Sequence, residues 1–157
     1  MSGDAFWRFS LDFYARSGVE AACLALQEAG ANVNLLLLCC WLGRRGRRLS
    51  RQRLRLLLGA VAAWQAQVVL PLRQVRRQLK GETWPVAKRG RLALRRGVAA
   101  VELQAERLEQ TLLAGLVDDL PRQAGGECVA ANLRAYGALL GLAAGAAPHL
   151  SVLLAAG

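Results

Sequence analysis

Histidine is almost missing from this 157-residue chain, which has only His149, and its four cysteines, Cys23, Cys39, Cys40 and Cys128, form no C-x-x-C pair. Structural zinc needs about four such ligands converging on one point, so neither a metal site nor any other cofactor is expected. Cys39 and Cys40 are neighbours, and on a helix neighbours point about 100° apart. They therefore cannot both face one ion from that turn, and the thiols read as small buried hydrophobes in a reducing cytosol. Acids are scarce as well, 11 against 21 basic residues, for a net charge of +10. No sustained alternation of apolar and polar residues calls for strands. Catalytic motifs are lacking too: there is no nucleophile elbow, no phosphate-cradling glycine loop, and no serine or cysteine at motif spacing from His149. The row Glu102, Glu106 and Glu109 lacks the Glu-x-x-His pattern of di-iron bundles. No catalytic residue is expected.

A membrane-spanning run is not found by reading the apolar segments either. Val33 to Leu42 is apolar apart from Asn34 but holds ten residues, half of the roughly twenty a bilayer requires. The uncharged stretch Ala135 to Gly157 carries Gly137, Gly141 and Gly145 in a G-x-x-x-G-x-x-x-G pattern, which in a membrane marks close helix packing. Pro148 and His149 cut it into pieces shorter than a span, so integral insertion is not expected, and peripheral membrane association through this tail is an alternative reading. Met1 to Asp4 holds no basic residue and Phe6 to Arg16 carries charges throughout, a poor match to a secretory signal, and the expected location is cytoplasmic.

What is abundant is leucine, alanine, arginine and glutamine, the vocabulary of helices. The expected fold is all-α: a single compact bundle of five to seven helices around a short buried central helix. One domain should cover residues 1–147, with 148–157 a tail that packs on the bundle or leaves it. Asp4 can cap a first helix rich in aromatics (Phe6, Trp7, Phe9, Phe13, Tyr14), ended by Ser17-Gly18. Val19, Ala22, Cys23 and Leu26 make the inner stripe of a second helix that Gly30 stops. Asn32 caps the third, Val33 to Leu42, with Gly43 as its C-cap, and this helix should be surrounded by the first helix and the two long ones. Ser50 caps the fourth, with Leu54, Leu57, Leu58, Val61, Trp64 and Val68 inward, and Pro71 should kink or break it. The fifth is expected from Pro85 to about Asp119. Its inner stripe is Leu94, Val98, Val101, Ala105, Leu108 and Leu112, and Glu102, Glu106 and Glu109 form a separate acidic stripe. A loop with Pro121 and Gly125-Gly126 precedes a last helix from about Cys128 to Ala147.

Charge is distributed unevenly. Arg44 to Arg96 holds sixteen basic residues and one acid, Glu82, a local net of +15, while the flanking parts are mildly acidic at −2 and −3. Arg73, Arg76, Arg77 and Lys80 fall at i, i+3, i+4, i+7 on one helix face, and Arg44, Arg45, Arg47 and Arg48 cluster behind the third helix. Such a layout fits an anionic partner, or internal pairing of the basic middle with the ends. In the second case Arg73, Arg76 and Lys80 would meet Glu102, Glu106 and Glu109 across an antiparallel helix pair. Asn34, a lone amide on an apolar helix, needs partners and either helps the cap or fixes a buried contact.

The blocks F-W-R-F-S-L-D-F-Y, G-V-E-A-A-C-L-A-L-Q and N-V-N-L-L-L-L-C-C-W-L resemble a family of short proteobacterial proteins known only as a domain of unknown function. P-L-R-Q-V-R-R-Q-L-K and E-L-Q-A-E-R-L-E-Q are similar to its later blocks, and the similarity covers roughly Phe6 to Leu112. Where the family pattern has Asp before Val33, this chain has Asn32, so one negative charge is missing. The resemblance implies a small cytosolic helical protein and brings no assigned activity.

The first functional expectation is thus a non-enzymatic interaction or regulatory module. Its basic surface, Arg44, Arg45, Arg47, Arg48, Arg73, Arg76, Arg77 and Lys80, would engage an acidic protein partner. Nucleic acid is a variant of the same surface, without a recognisable stacking motif. A helical enzyme or apolar-ligand binder would need a pocket near Asn34 and Trp41. The oligomeric state is not legible.

Overall fold

A computed structural model describes residues 3–81, 83–123 and 126–157. Glu82, the one acid of the basic segment, and Gly125 of the expected glycine loop lie outside the described residues. The chain is all-α, with no strand among the described residues. Its elements are α1 (Gly3–Tyr14), α2 (Val19–Glu28), α3 (Val33–Arg44), α4 (Arg51–Trp64), α5 (Leu70–Gln78), α6 (Lys88–Gly115), α7 (Cys128–Leu140) and α8 (Ala147–Ala156). A π-helical turn, Gln65–Val69, joins α4 to α5 without a break, so Arg51–Gln78 is one helix of 28 residues and the described helices number seven.

Pro71 does not break that helix. The π turn just before it shifts the hydrogen-bond register, which places Pro71 in the first turn of α5. There the missing N–H costs least.

Internal contacts group the chain into two units, Met1–Leu57 with Gln110–Gly157, and Leu58–Glu109. In the first unit α3 is the centre: Asn34 to Gly43 are all buried. Asn32 caps it, its side chain accepting from the Leu35 N–H at 3.3 Å, while its own N–H donates to the Tyr136 hydroxyl at 2.8 Å. The principal neighbours of α3 are α7, α1 and α2, not the long helices expected from sequence. Gly43 explains the change. It is not the C-cap; it lies inside the helix, where a Cβ would come 2.5 Å from the Cα and N of Val129. Only a glycine lets α7 lie that close, and the left-handed cap passes to Gly46 at φ 68°.

The other expectations for this unit divide. Val19, Ala22, Cys23 and Leu26 are the buried residues of α2, and the Ser50 Oγ accepts from Arg53 N–H at 3.1 Å as a cap should. Asp4 lies inside the first turn of α1 rather than before it. The last helix stops at Leu140 because Gly141 turns left-handed (φ 61°), so the three tail glycines do not share one helix face. Pro148 starts α8 instead of breaking the tail, and α8 packs on α2.

The second unit, Leu58–Glu109, is an antiparallel hairpin of the later part of the Arg51–Gln78 helix and α6 as far as Glu109. Pairings that run in opposite directions along the chain define it: Trp64 Nε1 donates to Ala105 O at 3.0 Å, and Arg91 donates to Leu79 O at 2.6 Å. The described residues between Gln78 and Lys88 are not helical. Trp84 donates its indole N–H to Gln78 O at 2.9 Å, which holds the turn against the end of α5.

Candidate interaction surface

In α6 the expected inside and outside are exchanged. Glu102 (6% exposed) and Glu109 (1%) are buried and Glu106 is half-buried, whereas Leu94 (58%), Val101 (49%), Leu108 (60%) and Leu112 (44%) face outward. Of the apolar stripe read from the sequence only Ala105 is buried. The glutamates turn inward because arginines opposite require them. Arg73 reaches Glu102 at 3.3 Å and Glu106 at 3.2 Å, and Arg76 binds Glu102 through two nitrogens, one at 3.2 Å. Gln65 donates to Glu109 at 2.6 Å. A buried carboxylate without a partner would cost several kcal/mol, so these contacts choose which face of α6 points inward.

Charge on this network follows from its packing. Burial pushes the Glu106 carboxyl above the ordinary carboxylate range, and the nearby Glu102 and Glu109 charges add to the push; the Arg73 guanidinium opposes it. For Arg76 the hydrogen bond to Glu102 raises an already high value, so this guanidinium stays charged.

Two of the eight expected partner-binding cations, Arg73 and Arg76, are therefore engaged inside the hairpin. Arg77 on the same helix and Lys80 in the turn after it are exposed. The other four lie in the first unit. The exposed Arg44 and Arg45 stack over aromatic rings, at 5.8 Å from Phe9 and 5.1 Å from Trp41, which fixes their stems against the surface. Arg47 is half-buried and donates to Asp118 O at 3.3 Å. Arg48 is exposed and borders a polar depression with Glu127, Cys128 and Arg134. The single basic stripe read from sequence is thus divided between internal pairing, ring stacking and exposure. Further exposed cations, Lys88, Arg89 and Arg96, lie in the first half of α6, with Arg89 and Arg96 on the side of the helix opposite the outward leucines.

The region of Asn34 and Trp41 is filled. Asn34 accepts from Gln110 at 2.9 Å, Gln110 accepts from Ser10 at 3.1 Å, and Trp41 stacks on Phe6 at 4.9 Å. A second buried amide, Asn132, accepts from Leu49 N–H at 2.8 Å and donates to Cys39 O and Arg47 O at 3.1 and 3.0 Å, tying the turn after α3 to α7. Both amides have structural work that accounts for them. All four cysteines are buried and free, and burial pushes the Cys23 and Cys40 thiols up to about 12 and Cys39 well above its usual value. Among the described residues no group of three His, Cys, Asp or Glu side chains is placed to hold a metal. Asp119, next to Asp118 past the end of α6, pairs with Arg53 at 2.8 Å.

One helix among the described residues, Arg51–Gln78, is long and apolar enough to cross a membrane by length and composition, and 22% of its most apolar stretch is buried. The sequence reading tested α3 and the tail for this property and passed over this segment, because Pro71 divided it.

These features define an all-α protein whose first unit is built round a buried apolar helix and whose second is a hairpin held by buried ion pairs. Within that class the chain belongs to the family described as protein of unknown function DUF2390, which matches residues 5–113. The family thus spans α1 to near the end of α6, in agreement with the similarity read over Phe6 to Leu112. No curated protein and no solved structure matches the chain.

Proposed function

We propose that this protein is a non-enzymatic interaction module whose ion-paired hairpin offers a cationic exterior to an acidic protein partner. One observation carries the reading: the described carboxylates of Leu58–Glu109 are turned inward onto Arg73, Arg76 and Gln65, while Lys80, Lys88, Arg89 and Arg96 are exposed. An outside with cations and, among the described residues, no exposed carboxylate attracts acidic surfaces and repels basic ones, which sets both association rate and choice of partner. The binding residues move accordingly, from Arg73 and Arg76, which are engaged inside, to Lys80, Lys88, Arg89 and Arg96. The cytoplasm, with its thiol-reducing milieu, suits four free buried cysteines.

The test is affinity capture from nuclease-treated lysate with the native chain and with Lys88→Glu/Arg89→Glu/Arg96→Glu. The reading predicts capture of acidic proteins that survives nuclease and is lost in the triple variant. Capture abolished by nuclease moves the reading to nucleic acid, where anisotropy would fall steeply with salt. Capture unchanged by the three charge reversals overturns it.

A further inference from the structure

The outward stripe of α6 adds a shape to that charge. Leu94, Val98, Val101, Ala105 and Leu108 follow one another at steps of four, three, four and three residues, the spacing of the two apolar positions of a heptad. Ala105 is buried, Val98 is half-buried, and the other three are 58, 49 and 60% exposed. Leu94, Val101 and Leu108 thus leave one line of the seam open along about four turns of α6, a line that a second helix covers by knobs-into-holes packing. Left open, each forgoes the apolar burial such a helix would supply.

Beside the seam, Gly90 and Gly97 recur seven residues apart, and a Cβ on either would meet nothing within 4 Å. No packing among the described residues requires these glycines, and each weakens the helix relative to alanine. A helix lying close along this flank gives them a use. On the opposite flank the same seven-residue period brings Lys88 and then Arg95, while Arg89 and Arg96 fall on the far side of the helix. Arg95 is half-buried, and its Nε, shielded from solvent, has no hydrogen-bond partner in the structure. The next residues in the Lys88 register, Glu102 and Glu109, are turned into the hairpin.

We infer that Leu94, Val98, Val101 and Leu108 form a docking seam for an amphipathic helix with acidic flanks, supplied by an acidic protein. The inference rests on the proposed function and deepens it by naming the partner's secondary structure and its place on the hairpin. Charge decides between occupants. A second copy of the chain would bring its own Lys88 and Arg95 against a seam already flanked by that pair, and like charges across a helix interface are unfavourable. Glutamates on a partner helix meet Lys88 and the Arg95 guanidinium instead. A membrane surface calls for a broader apolar face than this one, which Gln104 and Arg107 border.

The probe is a labelled synthetic helix of about three heptads with leucine at the two apolar positions and glutamate on the flanks, followed by anisotropy. Its comparison is the same peptide with lysine on the flanks, and the variant is Val101→Gln/Leu108→Gln, whose exposed positions leave the melting temperature unchanged. The inference predicts that the glutamate peptide binds the native chain, that the lysine peptide binds at least about tenfold more weakly, and that the double variant loses at least about tenfold. Equal binding of the glutamate peptide by the variant overturns the seam while leaving the acidic-partner reading in place. Failure of the glutamate peptide together with unchanged capture by the charge-reversed chain overturns both. A native dimer that the double variant abolishes in sedimentation assigns the seam to a second copy. Sedimentation with phosphatidylserine vesicles that the variant abolishes assigns it to a membrane surface. Either of those two results overturns the inference.

Discussion

The Arg73 guanidinium lies 3.3 Å from the Glu102 carboxylate, with the two side chains only 12 and 8% exposed. Glu102 is shared, since Arg76 also binds it. Removing this carboxylate leaves the Arg76 guanidinium without its partner and the nearly buried Arg73 with Glu106 alone. Glu102→Gln should therefore cost about 3 kcal/mol, read as a lower urea midpoint at unchanged slope. Lys80→Gln, at an exposed position in the turn after the same helix, should change stability by no more than about 0.5 kcal/mol.

Glu106 supplies a pH signature. Burial raises its folded-state value above the ordinary one, so the folded state holds this proton more tightly than the unfolded chain does. That contribution to stability is fully present below the unfolded value and is lost as pH rises through the raised folded value. Glu106→Gln has no proton to lose. The melting temperature of Glu106→Gln minus that of the native chain should rise from about pH 4 to pH 7, the interval that brackets an ordinary carboxylate and its upward shift. A difference that falls over the same interval contradicts the assignment of burial as the dominant cause.

Gly43 and Gly59 should respond in opposite directions to alanine. At Gly43 the new methyl would lie 2.5 Å from Val129 backbone atoms, so α3 and α7 must separate, at a cost of about 1–3 kcal/mol or more. At Gly59, inside α4, nothing lies within 4 Å, and alanine should stabilise the helix by about 0.5–1 kcal/mol. Thermal melts of the two variants check both signs.

The thiols of Cys23, Cys39 and Cys40 should be silent in the folded protein. Burial excludes the reagent, and the raised values keep each thiol protonated at neutral pH. An aromatic disulfide reagent should react with them only at the rate of unfolding, and promptly in denaturant.

Much of the first unit was legible because its signals are local. An i, i+3, i+4, i+7 stripe on α2, an Asx cap at Asn32 and a serine cap at Ser50 need only their own helices to act. Gly43 was misread because a glycine after an apolar run looks like a cap, and the reason it is glycine is Val129, distant in sequence. The same holds for the site. Periodicity found both stripes of α6 but could not rank them, since burying leucine is favourable by itself while burying glutamate depends on a partner. Arg73 and Arg76 decide the matter from another helix, and the antiparallel pairing that names them was one of two readings left open. Pro71 misled for a simpler reason: whether a proline interrupts a helix depends on the hydrogen-bond register before it, which composition does not record.

The central claim is that α6 buries its glutamates and exposes its leucines. It is tested most directly by cysteine labelling, in a chain whose own thiols are shielded. Leu108→Cys, at the most exposed position of the stripe, is treated with a fluorescent maleimide at neutral pH under native conditions. The account predicts that one equivalent is incorporated at the rate of a free peptide thiol. Labelling that waits for unfolding would place Leu108 in the core and contradict the account.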